Sequence, residues 1–151
     1  MLNVDVLYLI KNNRSTDIVY FNQTINILET IDNILNRECL KTLSTLDGRI
    51  NAIKQAYHIK KLVPVYLNDQ LILQPLYSKK SWMQIYINVC KIKALEVADK
   101  GTKINFNNNI ILEVEIPYPR IKQYLEKCLK IKKNQFNKYE RGKIYYGKEK
   151  Y

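Results

Sequence analysis

The segment from Lys103 to Ile116 constrains the fold most, because its pattern is typical of an antiparallel β-hairpin. Four aliphatic residues in its second arm recur at every second position and predict one buried face: Ile110, Leu112, Val114 and Ile116. Glu113 and Glu115 alternate with them and predict a solvated face. Three asparagines at 107–109 separate this arm from the first one, and asparagine is favoured in turns.

Similar short apolar runs occur throughout the chain. Further strands are predicted at residues 4–10, 17–23, 63–67, 70–73 and 82–98, the last with a bend or break near residues 91–93. Helical periodicity predicts helices at 26–37, with Asn26 as the N-cap, and at 46–57, with Asp47 as the cap. A third helix is expected after Pro117 and Pro119, since proline suits the first helical turn.

These elements predict a single α+β domain. We expect a largely antiparallel sheet of six to seven strands with about three helices. Periodicity fades after Lys133, so residues 1–133 are predicted to form the domain and residues 134–151 a basic, flexible tail. With 151 residues, 46% of them hydrophobic, the chain is long enough to bury a core. Long apolar spans and a basic leader are absent from the sequence, so we expect a cytoplasmic protein that does not enter membranes.

Composition gives little support for catalysis, metals or cofactors. Cys39, Cys90 and Cys128 are widely spaced and odd in number, so buried free thiols are expected rather than disulfides or a zinc site. His58 is the only histidine, and the four glycines are scattered rather than gathered in a phosphate-binding loop. Glu113 and Glu115 are better explained as a solvated strand face than as an acid–base pair. We therefore expect no catalytic residues, no metal and no cofactor.

The net charge of +11 favours a polyanionic partner. Lysine accounts for 20 of the 25 basic residues, and AT-rich codons explain part of that excess. The distribution is more informative than the total. Residues 1–58 have six basic and six acidic side chains, whereas residues 119–151 have eleven basic and three acidic ones. Codon bias alone does not place charge at one end, so this end is typical of nucleic-acid binding.

The middle of the chain contains short motifs in a fixed order. These are Gly48-Arg49, Lys61 with Pro64-Val65, Ile72-Leu73-Gln74-Pro75-Leu76 and Ser81-Trp82-Met83. A hairpin over 103–112 and the segment Ile121-Lys122-Gln123 continue the order. Across residues 17–131 this order resembles the ComK family, the competence transcription factors of low-GC Gram-positive bacteria.

The sequence departs from the family pattern in several places. Gln74 and Leu76 stand where members usually have Phe and Thr, and the cysteine that normally precedes the tryptophan is missing near Trp82. We find no counterpart of the C-terminal Phe-Met-Leu-like segment that binds an adaptor in the best-known members. The resemblance therefore does not predict turnover by an adaptor–protease complex.

The resemblance implies a transcription activator of competence and DNA-uptake genes. Such a protein recognises paired AT-rich promoter boxes in double-stranded DNA, chiefly through the minor groove, and assembles as a homo-dimer or larger complex. A narrow AT-rich minor groove attracts basic side chains, while its base edges are degenerate. Two other functions stay open: a basic RNA- or ribosome-associated protein, and a regulator that binds only proteins.

The candidate DNA-binding residues are all basic. Arg49 comes first, because it follows a glycine at the mouth of a helix; the alternative is a structural arginine that bridges Asp47 or a carbonyl. The others are Lys54, Lys60, Lys61, Lys79, Lys80, Arg120, Lys122, Lys130, Lys132 and Lys133. The two lysine pairs are expected to form one rim of the sheet, and solvated loops are the alternative. Trp82 is predicted to anchor the core, with stacking or wedging as its second possible role.

Overall fold

We describe the protein from a computed structural model, which covers the backbone of residues 2–149 and the side chains of residues 2–135. A six-stranded antiparallel sheet forms the centre of the molecule, with the strand order β3-β2-β1-β6-β5-β4. Its strands are β1 (Val6–Asn12), β2 (Ser15–Tyr20), β3 (Thr24–Ile27), β4 (Val65–Asn68), β5 (Leu71–Pro75) and β6 (Ile85–Asn88).

A second, three-stranded antiparallel sheet follows in the chain. Its strands are β7 (Ile92–Ala98), β8 (Gly101–Phe106) and β9 (Ile111–Val114). The predicted hairpin is confirmed, because Val114 and Ile116 are buried while Glu113 and Glu115 are exposed. A short 3-10 turn, Val89–Lys91, separates β6 from β7. The long apolar run therefore breaks as predicted, but slightly earlier than the expected position near residues 91–93.

Three helices complete the fold: α1 (Ile31–Leu40), α2 (Leu46–Tyr57) and α3 (Tyr118–Glu149). The α+β class and the three helices are thus confirmed. The nine strands of the described residues are divided between two sheets instead of forming one. The predicted boundary after Lys133 lies within α3, and the flexibility of residues 134–151 stays a prediction.

The six-stranded sheet is covered on both faces. On one face, α1 buries Ile34 and Leu35, and α2 buries Leu46, against the strand residues Leu9, Ile18 and Leu73. On the other face, the three-stranded sheet and α3 form a second core, in which Leu7, Ile72 and Ile87 lie with Ile104, Phe106 and Ile121. Adjacent residues of one strand therefore belong to different cores, as the alternation of side chains requires. Among the described residues, no helix is both long and apolar enough to cross a membrane.

Asn88 lies where the chain leaves the first sheet, and its side chain is fully buried. The amide nitrogen donates to the carbonyl oxygens of Val6 (2.8 Å) and Gln70 (3.2 Å). The amide oxygen accepts from the backbone N–H groups of Ile72 (3.3 Å) and Cys90 (3.2 Å). These four bonds use the full hydrogen-bonding capacity of a carboxamide. They connect β1, the β4–β5 turn, β5 and the 3-10 turn through one side chain.

The starts of the first two helices differ from the prediction. Asn26 was expected to cap α1, but it pairs in β3, and its amide nitrogen donates to the Ser15 hydroxyl and the Asp17 carboxylate. Thr30 caps α1 instead, and its hydroxyl accepts from the backbone N–H of Asn33 at 3.1 Å. Thr45 caps α2 by the same contact with Gly48, so Asp47 lies within the first turn.

Replacing Asn88 with alanine tests whether this junction stabilises the segments of the first sheet and the 3-10 turn that it connects. Asn88→Ala leaves buried carbonyl and N–H groups without partners, so we expect the free energy of unfolding to fall by about 3 kcal/mol. Urea denaturation followed by circular dichroism measures the change. Asn51→Ala, on the exposed side of α2, is the matched control and should change stability by less than about 0.5 kcal/mol. Equal denaturation midpoints for the two variants would show that the Asn88 hydrogen bonds do not stabilise this junction.

Candidate nucleic-acid interface

One end of the six-stranded sheet collects four connections between its elements. We call it the loop end, and it consists of residues 13–14, 28–30, 58–64 and 76–84. The strand registers bring them together: Ile10 pairs with Ile85, and Val65 pairs with Leu73. A side-chain bond from Gln74 to the Leu62 carbonyl (2.8 Å) fixes the segment before β4 at this end. The opposite end, which we call the far end, contains residues 2–5, 21–23, 69–70 and 89–91.

The two lysine pairs lie at the loop end. Lys60 and Lys61 are in the segment before β4, and Lys79 and Lys80 are in the β5–β6 connection. All four side chains are exposed. The arrangement places the two pairs on the same rim of the sheet, although about twenty residues separate them in the chain. Their contact with DNA stays a prediction.

Lys11 and Arg14 join this rim, and sequence reasoning missed both. They line a cavity of about 150 Å³ together with Asp32, Lys79 and Gln84. The Lys79 ammonium lies 3.4 Å from the Asp32 carboxylate, and both side chains are more than half exposed. Such a surface ion pair contributes little to stability, so Lys79 can exchange this partner for another anion. Finding Lys11 and Arg14 requires the pairing of β1 with β6, which no local pattern indicates.

The prediction that Trp82 anchors the core is wrong, because its side chain is 80% exposed. The expectation assumed that the strand begins at Trp82, but β6 begins only at Ile85. Residues 78–84 instead form a closed loop. The Gln84 amide nitrogen donates to the carbonyls of Ser78 (2.7 Å) and Ser81 (2.8 Å) within that loop. The indole is therefore presented outward from an ordered connection.

Arg49 makes contacts that match the structural alternative. Its guanidinium donates to the Tyr66 carbonyl and the Thr42 hydroxyl, and Nε donates to the Ser44 hydroxyl at 2.7 Å. These bonds connect α2 to β4 and to the loop that joins α1 and α2. The side chain is half-buried. The geometry favours a structural role, while direct contact of Arg49 with DNA stays untested.

The other predicted residues lie on the two outer helices. Lys54 is exposed in the last turn of α2, and Arg120 and Lys122 are exposed near the start of α3. Lys132 and Lys133 line a groove with Asp69 and Gln70 in the β4–β5 turn, at the far end. Lys130 precedes them on the same helix and is also exposed. The predicted residues therefore do not gather at a single place.

The cysteines are free thiols with raised pKa values. Cys39 and Cys128 are buried as predicted, whereas Cys90 is half-buried. Burial raises the pKa of Cys128 to about 12, and it raises the pKa values of the other two thiols as well. Protonated thiols are poor nucleophiles and poor metal ligands. Within the described part of the chain, no group of three or more metal-binding side chains occurs.

The two roles of Arg49 can be separated by mutation. Arg49→Ala removes a charged donor from three acceptors, so we expect the free energy of unfolding to fall by roughly 2 kcal/mol. Arg49→Lys should recover little, because a lysine cannot reproduce the guanidinium fork. Lys54→Ala on the same helix is the control and should leave stability unchanged. If Arg49→Ala keeps the denaturation midpoint but loses DNA affinity, direct contact is the better account.

Comparison with known proteins assigns the family. A family model described as the ComK protein matches residues 3–139, which is most of the chain. Searches of curated proteins and of solved structures gave no significant match. The family match covers both sheets, α1, α2 and much of α3, and includes the loop end. The chain therefore belongs to the ComK family of competence transcription factors.

Proposed function

We propose that this protein binds AT-rich promoter boxes in double-stranded DNA through its loop end and activates competence and DNA-uptake genes. Family membership supports the role in transcription. The observation that carries the binding surface is the placement of both lysine pairs, with Lys11 and Arg14, at one end of the sheet. We further propose a cytoplasmic protein that binds its sites as a homo-dimer or larger complex and has no catalytic activity.

The charge of the loop end supports an anionic partner. Its four connections contain five basic residues and one acidic residue, Glu29. Glu29 is ion-paired with Arg37 on α1, so its charge is offset locally. Lysines on exposed loops approach phosphates without first losing a buried partner. Neutralised phosphates release counterions, and this release makes affinity strongly salt-dependent.

Minor-groove recognition fits the type of side chain that is available. The minor groove of AT-rich DNA is narrow and has an enhanced negative potential, which attracts lysine and arginine. Its base edges distinguish A·T from G·C pairs but not A·T from T·A. A surface with basic side chains therefore suits AT-rich boxes, with box spacing and DNA shape adding specificity.

The remaining basic residues are proposed to have supporting roles. Lys54 on α2, with Arg120, Lys122 and Lys130 on α3, is proposed to contact phosphates that flank the box. Lys132 and Lys133 lie beside the β4–β5 turn at the far end, so a duplex centred on the loop end reaches them only at its margin. We also retain the proposal that residues 1–133 form the binding domain and residues 134–151 a basic tail.

Binding to matched duplexes tests the proposed partner. Fluorescence anisotropy should show tighter binding to an AT-rich box duplex than to a GC-rich duplex of equal length. About six neutralised phosphates predict an affinity loss of roughly a thousandfold between 50 and 200 mM salt. Competition with a structured RNA distinguishes a DNA-binding protein from an RNA-binding protein. Displacement by RNA in preference to AT-rich duplex would point to an RNA-binding protein instead.

A charge-matched pair of variants tests the surface. Lys79→Ala/Lys80→Ala should weaken duplex binding and lower the slope of log affinity against log salt by about 2, because two phosphate contacts are lost. Lys41→Ala/Lys93→Ala removes the same charge from exposed positions outside the loop end. If both double variants lose affinity equally, only net charge matters and the loop end is not the site.

A further inference from the structure

Trp82 is a large apolar side chain that the fold leaves in solvent. Its exposed fraction is 80%, and it stands in the β5–β6 connection next to Lys79 and Lys80. Most of the other large exposed apolar residues are aliphatic, and aliphatic residues scattered singly on a surface are ordinary. An indole has a flat π-face and a large apolar area, which usually becomes buried in a core or an interface. The structure therefore keeps this surface accessible at the basic end of the sheet.

The loop that presents Trp82 is held by hydrogen bonds on both sides of the indole. Before it, the Ser81 N–H donates to the Ser78 carbonyl at 3.0 Å. After it, the Met83 N–H donates to the Ser81 hydroxyl at 3.2 Å, and Gln84 closes the loop through its two carbonyl contacts. The Gln84 carbonyl in turn accepts from the Lys11 N–H in β1 at 2.9 Å. The loop that carries the indole is thus attached to the sheet. Binding therefore costs little conformational entropy for ordering this loop.

The side chains around Trp82 are basic, and this charge favours a DNA duplex over an apolar protein surface as the partner. Lys79 and Lys80 precede it, and Lys11 and Arg14 lie on the adjacent β1–β2 hairpin. A purely apolar protein surface would have to desolvate these charges, whereas a duplex offers phosphates to the cations and base faces to the ring. Proteins that bind the minor groove frequently insert apolar side chains between base steps and kink the duplex. Pyrimidine–purine steps such as TA unstack most easily, and AT-rich boxes contain them.

We infer that Trp82 inserts its indole between neighbouring base pairs at a TA step of the bound duplex and kinks it there. The inference rests on the proposed function, because it assigns a mode of contact within the same DNA site. Insertion would mean that two kinds of contact contribute to DNA affinity at the loop end. The lysines provide salt-dependent attraction to phosphates, and the indole provides a salt-independent contact that depends on the deformability of the step.

The single tryptophan allows a direct test on the full chain. Trp82 fluorescence, excited where tyrosine does not absorb, should be quenched when an AT-rich duplex with a central TA step is added. The same complex should protect the indole from acrylamide. Trp82→Ala should bind this duplex about tenfold more weakly, the scale of one base–aromatic stack, with an unchanged salt slope. Trp82→Phe should retain most of the affinity, since it keeps a flat ring.

A duplex in which AA replaces the central TA step, with the flanking narrow-groove A-tracts unchanged, provides the second arm. The wild-type protein should prefer the TA duplex and bend it, as measured by energy transfer between dyes at the duplex ends. Trp82→Ala should lose both the preference and the bend. Leu43→Ala is the matched control, because Leu43 is 96% exposed and lies in the α1–α2 loop, outside the loop end.

The outcomes distinguish the two proposals. Binding to the duplex with Trp82 still open to acrylamide would overturn insertion and leave DNA binding intact. No binding to any duplex would overturn the proposed function, and insertion with it. Protection of the indole from acrylamide that increases with protein concentration in the absence of DNA would show that a second copy covers the indole, which also contradicts insertion.

Discussion

The fold depends on one constraint: a single sheet must be buried on both faces while the chain passes from it into a second sheet. Asn88 makes that passage possible. Strand pairing ends there, and a buried peptide group without a partner would be costly. The Asn88 carboxamide supplies four hydrogen bonds to backbone groups of other segments, so the turn after β6 is satisfied inside the protein. β7 can then lead to the other face, where the second sheet packs in one core with Leu7 and Ile87.

That arrangement has a functional consequence. Because the helices and the second sheet occupy both faces of the six-stranded sheet, its connections are among the surfaces left to solvent. Connections tolerate charged side chains and commonly provide binding residues on a rigid scaffold. At the loop end they bring basic residues from distant parts of the chain to one rim, with Trp82 beside them. Arg49 supports this scaffold from the α2 side through its bond to the Tyr66 carbonyl.

Local sequence patterns predicted most strands and helices well, but they could not predict which distant strands pair with each other. The hairpin over 103–116 and the existence of a break in the long run 82–98 follow from alternation and turn chemistry, which act between near neighbours. The contact of Lys11 with the β5–β6 connection depends on the pairing of β1 with β6, about 75 residues apart in the sequence. Trp82 was misplaced because an aromatic residue before an apolar run resembles a strand start, and the Gln84 bonds that close a loop there leave no periodic signal. The prediction that Asn26 caps α1 was wrong for a similar reason, because its hydrogen-bond partners Ser15 and Asp17 lie on another strand.

The central claim is that DNA meets the protein at the loop end. Lysine acetylation followed by mass spectrometry, with and without an AT-rich box duplex, tests it most directly, because each lysine reports its own accessibility. The account predicts strong protection of Lys60, Lys61, Lys79 and Lys80, with Lys41 and Lys93 modified equally in both samples. Protection that is confined to Lys93 and its neighbours on the second sheet, or spread evenly over all exposed lysines, would contradict it.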